Sequence, residues 1–593
     1  MPHPDLRSFL SELRKRKDLL EINVEVDPFL EAAEIHRRVI HAGGPALLFN
    51  RMRGSSIRVV TNLFGTEERT HLAFGSRGLE FVRDAVSLID ELVPFSPEKL
   101  WEKRGFFKQL LNLGKATTSD APVAEVAQVP PRLSSLPLLT TWSKDGGPFF
   151  TLPLVYTEHP HTQVENLGMY RMQRYDDEYT GMHMQIGKGG GFHLSVARED
   201  GRPLPLNVFL GGPPAMIMSA IAPLPENVSE FMLAALLLGK KIPMAKNPYG
   251  PLPLLAQAEF VLVGSVDPVA VRPEGPFGDH YGYYSLTHDF PVFQCKAMLS
   301  RKDAILPATV VGKPRQEDFF IGDYLQELLA PVISRVMPTV KNLWSYGETG
   351  YHSLAAAVVR ERYKREALVS AFRILGEGQL SLTKFLLLVD REQNLKDFRA
   401  LLEFILERAD FRTDLYVFSH SAMDTLDYTG PALHQGSKGV LIGMGEPIRT
   451  LPASFHGTVP VGVHVVKPFC RGCLVVSGPP YNTDREFSRR IAEEPTFLEW
   501  PLIVVSDDAA RCASSPEEFL WSTFTRFEPA ADIHGRRMSV ERFHISLEAP
   551  IVVDARMKPH YPDELQCDEE TARLVDRRWR EYFPGQVTGS FGA

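Results

Sequence analysis

Arg272-Pro-Glu274-Gly-Pro-Phe-Gly278-Asp279-His280-Tyr-Gly-Tyr-Tyr284 sets two carboxylates five residues apart. On a straight strand that odd spacing would put them on opposite faces. Gly275, Pro276 and Gly278 lie between them and permit a turn, because glycine tolerates positive φ and proline presets a turn angle. The segment is expected to bring both carboxyls into one pocket, where unlike surroundings can leave one ionised and the other protonated. The plainer alternative is a glycine-rich turn with two solvated acids, and from spacing alone it is the commoner one.

Upstream, Asn166-Leu-Gly168-Met-Tyr-Arg171-Met-Gln-Arg174 reads as a strand. Asn166, Gly168 and Tyr170 would share one face, and Leu167, Met169 and Arg171 the other. An arginine on an apolar face is costly unless it meets an anion, and a carboxylate pairs with guanidinium in a two-pronged fork. A surface arginine at a strand end is the competing account. Gly187-Lys188-Gly189-Gly190-Gly191-Phe192-His193 could approach a phosphate, but it lacks P-loop or dinucleotide spacing and reads by itself as a flexible loop. Pro223-Leu-Pro225-Glu-Asn-Val-Ser229-Glu230 leads into a helix over 228–239, whose first turn favours an acid.

Working outward, Leu6, Phe9, Leu10 and Leu13 have helical spacing behind Asp5 as N-cap. Ile22, Val24 and Val26 alternate as a strand, and Asp27-Pro28 opens a helix reaching Gly43. The predicted fold is mixed α/β and α+β. An N-terminal α/β domain spans 1–125 and a central β-barrel or sandwich 126–315. A C-terminal α/β domain spans 316–470, and a more polar, irregular extension 471–593. No internal repeat is evident. The net charge of -8 and pI of about 6.2 argue against nucleic acid as a partner. The longest apolar run, Phe231 to Leu238, is too short to span a membrane, and the N-terminus has no apolar signal core. Five cysteines make no disulfide framework, so a cytoplasmic location is expected. Cys470-Arg-Gly-Cys473 reads as two ordinary cysteines, since no second pair accompanies it.

In chain order, from Asn166 through the glycine-rich run and Ser229-Glu230 to Glu274–Tyr284, the four motifs resemble those of the UbiD decarboxylases. Gly146-Gly-Pro-Phe-Phe-Thr151 and Gly436-Ser-Lys438 extend the likeness, which covers residues 5 to about 445. The resemblance implies a split β-barrel of the flavin-reductase type at the centre. It also implies a prenylated FMN cofactor made by a flavin prenyltransferase, held with Mn2+ (or Mg2+) and, in many members, K+. By motif match, Asn166 and Glu230 would ligate the metal. Thr151, Lys188 and Lys438 would contact the cofactor, with Gly168, Met169, Tyr170 and Arg171 lining it. Arg171, Glu274 and Asp279 would be catalytic, Arg171 positioning a substrate carboxylate, Glu274 holding Arg171 and Asp279 delivering a proton. One departure stands out: Gly187 occupies the place of the family's third metal ligand, a histidine, leaving water, phosphate oxygen, His193 or His183 to fill it.

The resemblance implies a homo-oligomeric, dimeric or larger, carboxy-lyase that removes CO2 from an aromatic or α,β-unsaturated acid. The long chain is most similar to quinone-biosynthesis members, the menaquinone-linked ones in particular. A reversible carboxylase of another aromatic acid and a non-catalytic flavin-binding protein remain as alternatives.

Overall fold

The helix expected from Leu6, Phe9, Leu10 and Leu13 is Leu6–Lys15, with all four side chains buried. Asp5 caps it, its carboxylate accepting the Ser8 backbone N–H. The next strand is Leu19–Ile22 rather than 22–26, paired in parallel with Ala46–Phe49. The helix expected at Asp27-Pro28 begins only at Glu31. Leu30 stands at φ 62°, and Asp27 spends its carboxylate on the Phe29 N–H instead of on a helix start.

The computed structural model describes residues 3–91, 97–184, 189–224, 228–313 and 315–585. The chain divides into two units, Met1–Leu328 with Asp563–Ala593, and Leu329–Pro562. Residues 471–593, expected as one extension, are thus shared between both units. The final helix, Glu569–Tyr582, buries Val575, Trp579 and Tyr582 in a core with Ala32, Ile35 and Val39. Among the described residues, no helix is long and apolar enough to cross a membrane.

The first unit is organised by a seven-stranded sheet with antiparallel neighbours. Six strands run in the order Tyr179–Gly181, His288–Ser300, Phe260–Glu274, Leu204–Leu210, Leu154–Glu158, Glu165–Met169, and Val126–Gln128 also pairs with His288–Ser300. Both faces are buried. Val155, Val208 and Leu262 enter one core, while Tyr156, Phe209 and Val261 enter another. The glycine-rich run expected as a loop is helical from Gly189 to Glu199.

The second unit contains two five-stranded sheets with the same topology. Val340–Ser345, Leu354–Val359, Phe385–Val389, Gln435–Gly443 and Leu415–Ala422 form one. Val465–Cys470, Cys473–Ser477, Leu502–Val505, His544–Asp554 and Ile533–Glu541 form the other. In each, the neighbour pairs run antiparallel, parallel, parallel, antiparallel. The strand order repeats where no repeat was expected, and the stretch expected to be irregular after 471 carries the second sheet, with three helices, Ala509–Cys512, Pro516–Phe524 and Pro529–Asp532, where the first repeat has one. The sheets share one core, in which Phe398 of the first repeat packs on Phe469, Phe519 and Phe524 of the second. Cys470 and Cys473 are reduced and buried there, cross-strand partners on a tight hairpin.

Candidate active site

The strand Glu165–Met169 pairs with Leu154–Glu158, and two residues later Met172–Gln173 pairs with Phe149–Phe150. Between the ladders the two chains part, leaving Thr151–Pro153 on one side and Tyr170–Arg171 on the other. Arg171 is therefore released from the strand rather than held on its face. Gly168 makes room for this bend, since a Cβ there would lie 2.4 Å from the Tyr170 ring. The Tyr170 hydroxyl accepts the Gly190 N–H at 3.2 Å, tying the Gly189–Glu199 helix to the strand.

Downstream, Phe260–Glu274 ends with Glu274 opposite His288. Gly275, at φ 99°, turns the chain into a small hairpin in which Phe277–Gly278 pairs with Tyr284–Ser285. Asp279 sits at its turn, its N–H donating to the Tyr283 carbonyl. Asp145 fastens the hairpin: Oδ1 accepts the Gly278 N–H at 2.9 Å, while Oδ2 accepts the N–H groups of Thr141 and Trp142 and the Thr141 hydroxyl. Gln173 clamps the same corner, accepting the Gly275 N–H and donating to the Gly146 carbonyl. The returning chain braces the other side, Tyr284 N–H donating to the Asp563 carbonyl and Leu565 N–H to the Gly282 carbonyl.

The turn does what the spacing allowed. Arg171 donates from Nε to Glu274 Oε1 at 3.0 Å, from Nη1 to Asp279 Oδ2 at 2.6 Å, and from Nη2 to Ser285 Oγ at 3.0 Å. Its guanidinium also lies 4.6 Å from the Phe277 ring centroid. Glu274 is 0% and Asp279 7% exposed. Burial alone would push Glu274 up, but His183 and Arg171 hold it below its ordinary value. Burial would likewise raise Asp279, but His280 and Arg171 hold it at about 2. His183 contacts Glu274 Oε2 through Nδ1 at 3.1 Å, and His280 contacts Asp279 Oδ1 through Nδ1 at 2.5 Å. Burial and Arg171 lower His183. His183, Ser285, Asp145 and Gln173 were not singled out for this cluster by the motifs. Only the cross-strand register, Phe277 opposite Ser285, brings Ser285 in.

Asn166 and Glu230 also converge. Glu230, in the first turn of the helix Glu230–Leu238 behind the N-cap Ser229, accepts the Leu167 N–H through Oε2 at 3.0 Å. Burial raises its carboxyl. Gly189 packs so closely on Asn166 that a Cβ would lie 1.9 Å from Oδ1. His193 contacts Thr157 Oγ1 through Nδ1 at 2.9 Å, and Thr157 is the cross-strand partner of Asn166. Burial, with His159 adding, lowers His193 to about 4. Of the two histidines considered in place of Gly187, His193 stands on the Asn166 side and His183 on the Arg171 side. Gly187 and Lys188 lie outside the described residues. Among those described, no three His, Cys, Asp or Glu side chains form a metal cluster. Thr151 Oγ1 accepts the Thr309 N–H at 2.9 Å. Lys438 belongs to the second unit, where Nζ donates to the carbonyls of Ser381 and Thr383 at 2.8 Å each.

The family match defines a carboxy-lyase. The chain belongs to the UbiD family: residues 10–89, 115–314 and 319–443 match the N-terminal, Rift-related and C-terminal domains of 3-octaprenyl-4-hydroxybenzoate carboxy-lyase. It is 49% identical over 585 residues to a 4-hydroxybenzoate decarboxylase component of Chlamydia pneumoniae, covering 98% of this chain and 99% of that one. Vanillic acid decarboxylase of Sedimentibacter hydroxybenzoicus in its closed form has a similar fold, with TM-score 0.66, 22% identity, and 78% of this chain and 96% of that one covered. So does an evolved dimeric form of the UbiD-class enzyme HmfF from Pelotomaculum thermopropionicum in complex with prFMN, with TM-score 0.62, 22% identity, and 76% and 97% covered. The chain is thus a UbiD-type decarboxylase, and its second sheet repeat begins beyond the matched C-terminal domain.

Proposed function

We propose that the chain performs prenylated-FMN-dependent, non-oxidative decarboxylation of an aromatic or α,β-unsaturated acid, an intermediate of quinone biosynthesis. The observation that carries this reading is Arg171, gripped at once by Glu274, Asp279 and Ser285. Its support on the cofactor side is the parted backbone at Thr151–Pro153 and Tyr170–Arg171, next to a glycine at 168. The related HmfF form binds prFMN. We read the central sheet as the family's split barrel.

The residues present fit a hard cation. Glu230 is a carboxylate raised by burial and supported by backbone N–H groups, and the N–H it accepts belongs to Leu167, the residue next to Asn166. Asn166 and Glu230 would hold manganese or magnesium through oxygen, with potassium beside it, and Thr151, Lys188 and the backbone of Gly168, Met169 and Tyr170 would hold the flavin. When bound, prenylated flavin supplies the electron sink for the carbon that loses CO2.

The protein's own part is binding, orientation and proton supply. Arg171 receives the substrate carboxylate, and Glu274 with His183 keeps its fork aligned. As that carboxylate draws Arg171 away, Asp279 loses part of the positive charge that holds it ionised, and its proton affinity rises. Asp279 then protonates the carbon vacated by CO2. The enzyme works in the cytoplasm as a dimer or larger assembly, with a flavin prenyltransferase as cofactor supplier.

Asp279→Asn is the test. It should keep flavin bound while CO2 release from aromatic acids falls about 10²-fold or more. Turnover at the wild-type rate would refute the role assigned to Asp279.

A further inference from the structure

The last two strands of the second unit, Ile533–Glu541 and His544–Asp554, make an antiparallel hairpin closed by Arg542 and Phe543 alone. Both turn residues stand at positive φ, 50° and 63°, as in the two-residue turns that match the twist of paired strands. The outer part of this ribbon is two-sided. Met538 pairs with Leu547 and Val540 with Ile545 on one face, while Arg537 pairs with Glu548, Ser539 with Ser546 and Glu541 with His544 on the other. Leu547 belongs to the core shared by the two sheets, but on the same face Met538 is 71%, Val540 65% and Ile545 40% exposed. The apolar face thus runs out of the core into solvent.

The edge is open as well as the face. Ile533–Glu541 is the last strand of its sheet, and among the described residues no strand pairs with its outer side. In a two-residue hairpin the pair flanking the turn exchanges both backbone hydrogen bonds, and the pairs alternate from there. Arg537, Ser539 and Glu541 therefore turn their N–H and C=O groups to the neighbouring strand, and Met538 and Val540 turn theirs outward. An edge of this kind recruits another strand. Here the sequence is its own complement. Arg537-Met-Ser539-Val-Glu541, set antiparallel to itself about Ser539, puts Met538 opposite Val540 and Arg537 opposite Glu541. Met538 and Val540 are the residues whose backbone groups face outward, so the hydrogen-bond register and the charge register coincide. Moving the centre to Met538 would set Arg536 against Val540, and moving it to Val540 would set Met538 against Arg542, with no charge paired in either.

We propose that the outer edge of Ile533–Glu541 is a self-association surface, on which a second copy of this chain pairs across a two-fold axis centred on Ser539. Such a contact is isologous: each copy supplies the same strand, so two Arg537–Glu541 pairs and two Met538–Val540 pairs form together. The apolar stripe of each copy, Met538, Val540 and Ile545, then runs beside that of the other. A different partner would not need opposite charges placed symmetrically about Ser539. The surface lies beyond residues 319–443, the matched C-terminal domain. The inference rests on the homo-oligomeric reading above and names its surface, and it is independent of the chemistry at Arg171.

The experiment measures the molar mass of the full-length holoenzyme by light scattering over a dilution series. Wild type is compared with Arg537→Glu, Glu541→Arg and the double exchange Arg537→Glu/Glu541→Arg. Both side chains are exposed, so the fold tolerates the reversals. Each single reversal sets like charges opposite each other twice in the contact. The dissociation constant should rise about 10-fold or more, and the mass should halve at dilutions that leave wild type assembled. The double exchange restores opposite charges and should return the wild-type mass. An equimolar mixture of the two single variants should do the same, because each supplies the charge the other needs. A wild type larger than a monomer whose dissociation ignores the single reversals, or a double exchange and a mixture that stay dissociated, would overturn the proposal alone. A wild type that is monomeric at every concentration would overturn it together with the homo-oligomeric reading.

Discussion

Arg171 reaches three acceptors because its strand stops at Met169. On a continuous strand its side chain would have stayed with Leu167 and Met169, as the alternation implied. The local pattern made a carboxylate partner plausible, and the motif match named Glu274 and Asp279. Ser285 stayed hidden because nothing in its local sequence marks it and it arrives through register, while His183, weighed only as a stand-in metal ligand, contacts Glu274 instead. Asp318, in the first turn of the helix Glu317–Val336, has a buried Oδ1 with no hydrogen-bond partner among the described residues, and this has a consequence for stability. Its folded value of about 7 lies above the ordinary 3.8, so the folded state holds a proton across that window. Its contribution is intact below about 4 and is lost as pH rises to about 7. Asp318→Asn, which cannot ionise, should gain in melting temperature over wild type across this window, by about 2 °C or more, and level off above it. Thermal scans from about pH 4 to about pH 8 check this, and a gap independent of pH would count against the buried acid.

At the scale of elements, long apolar runs were legible and polar turns were not. Glu230–Leu238 falls within the expected 228–239, ended by Gly239 in a left-handed cap. The Gly189–Glu199 helix was missed because each glycine disfavours a helix by about 1 kcal/mol. Packing against Asn166 and the Tyr170 hydroxyl overrides that preference, and both contacts are remote in sequence. The small hairpin bearing Asp279 depends on Asp145, which accepts four hydrogen bonds at two places in the chain. Asp145→Ala strands those donors and should lower unfolding free energy by about 3 kcal/mol, with kcat falling because Asp279 loses its position. Denaturant unfolding measures the first effect, and a change below about 0.5 kcal/mol would show that the hairpin stands without its anchor.

For the molecule as a whole, α/β character, the central β-rich region and the family motifs were all readable from one chain. The repeated topology was not. The two repeats share topology and strand direction, but a sheet needs only apolar residues at inward positions, and many sequences satisfy that. The second repeat looked irregular because its long hairpin, Ile533–Glu541 with His544–Asp554, exposes Met538, Val540 and Phe543 and so lacks alternation. The final segment escaped notice for a related reason: residues 563–565 brace the Asp279 hairpin through backbone atoms, which leave no side-chain signature.

The central claim is prenylated-flavin decarboxylation, and the cofactor itself tests it most directly. The full chain would be co-expressed with a flavin prenyltransferase, supplied with manganese and purified. The released cofactor would then be identified by mass and absorption spectrum and the metal counted. The account predicts stoichiometric prenylated FMN with bound manganese, and loss of both in Glu230→Ala. A wild-type protein that emerges without flavin, or with weakly held ordinary FMN alone, would contradict it.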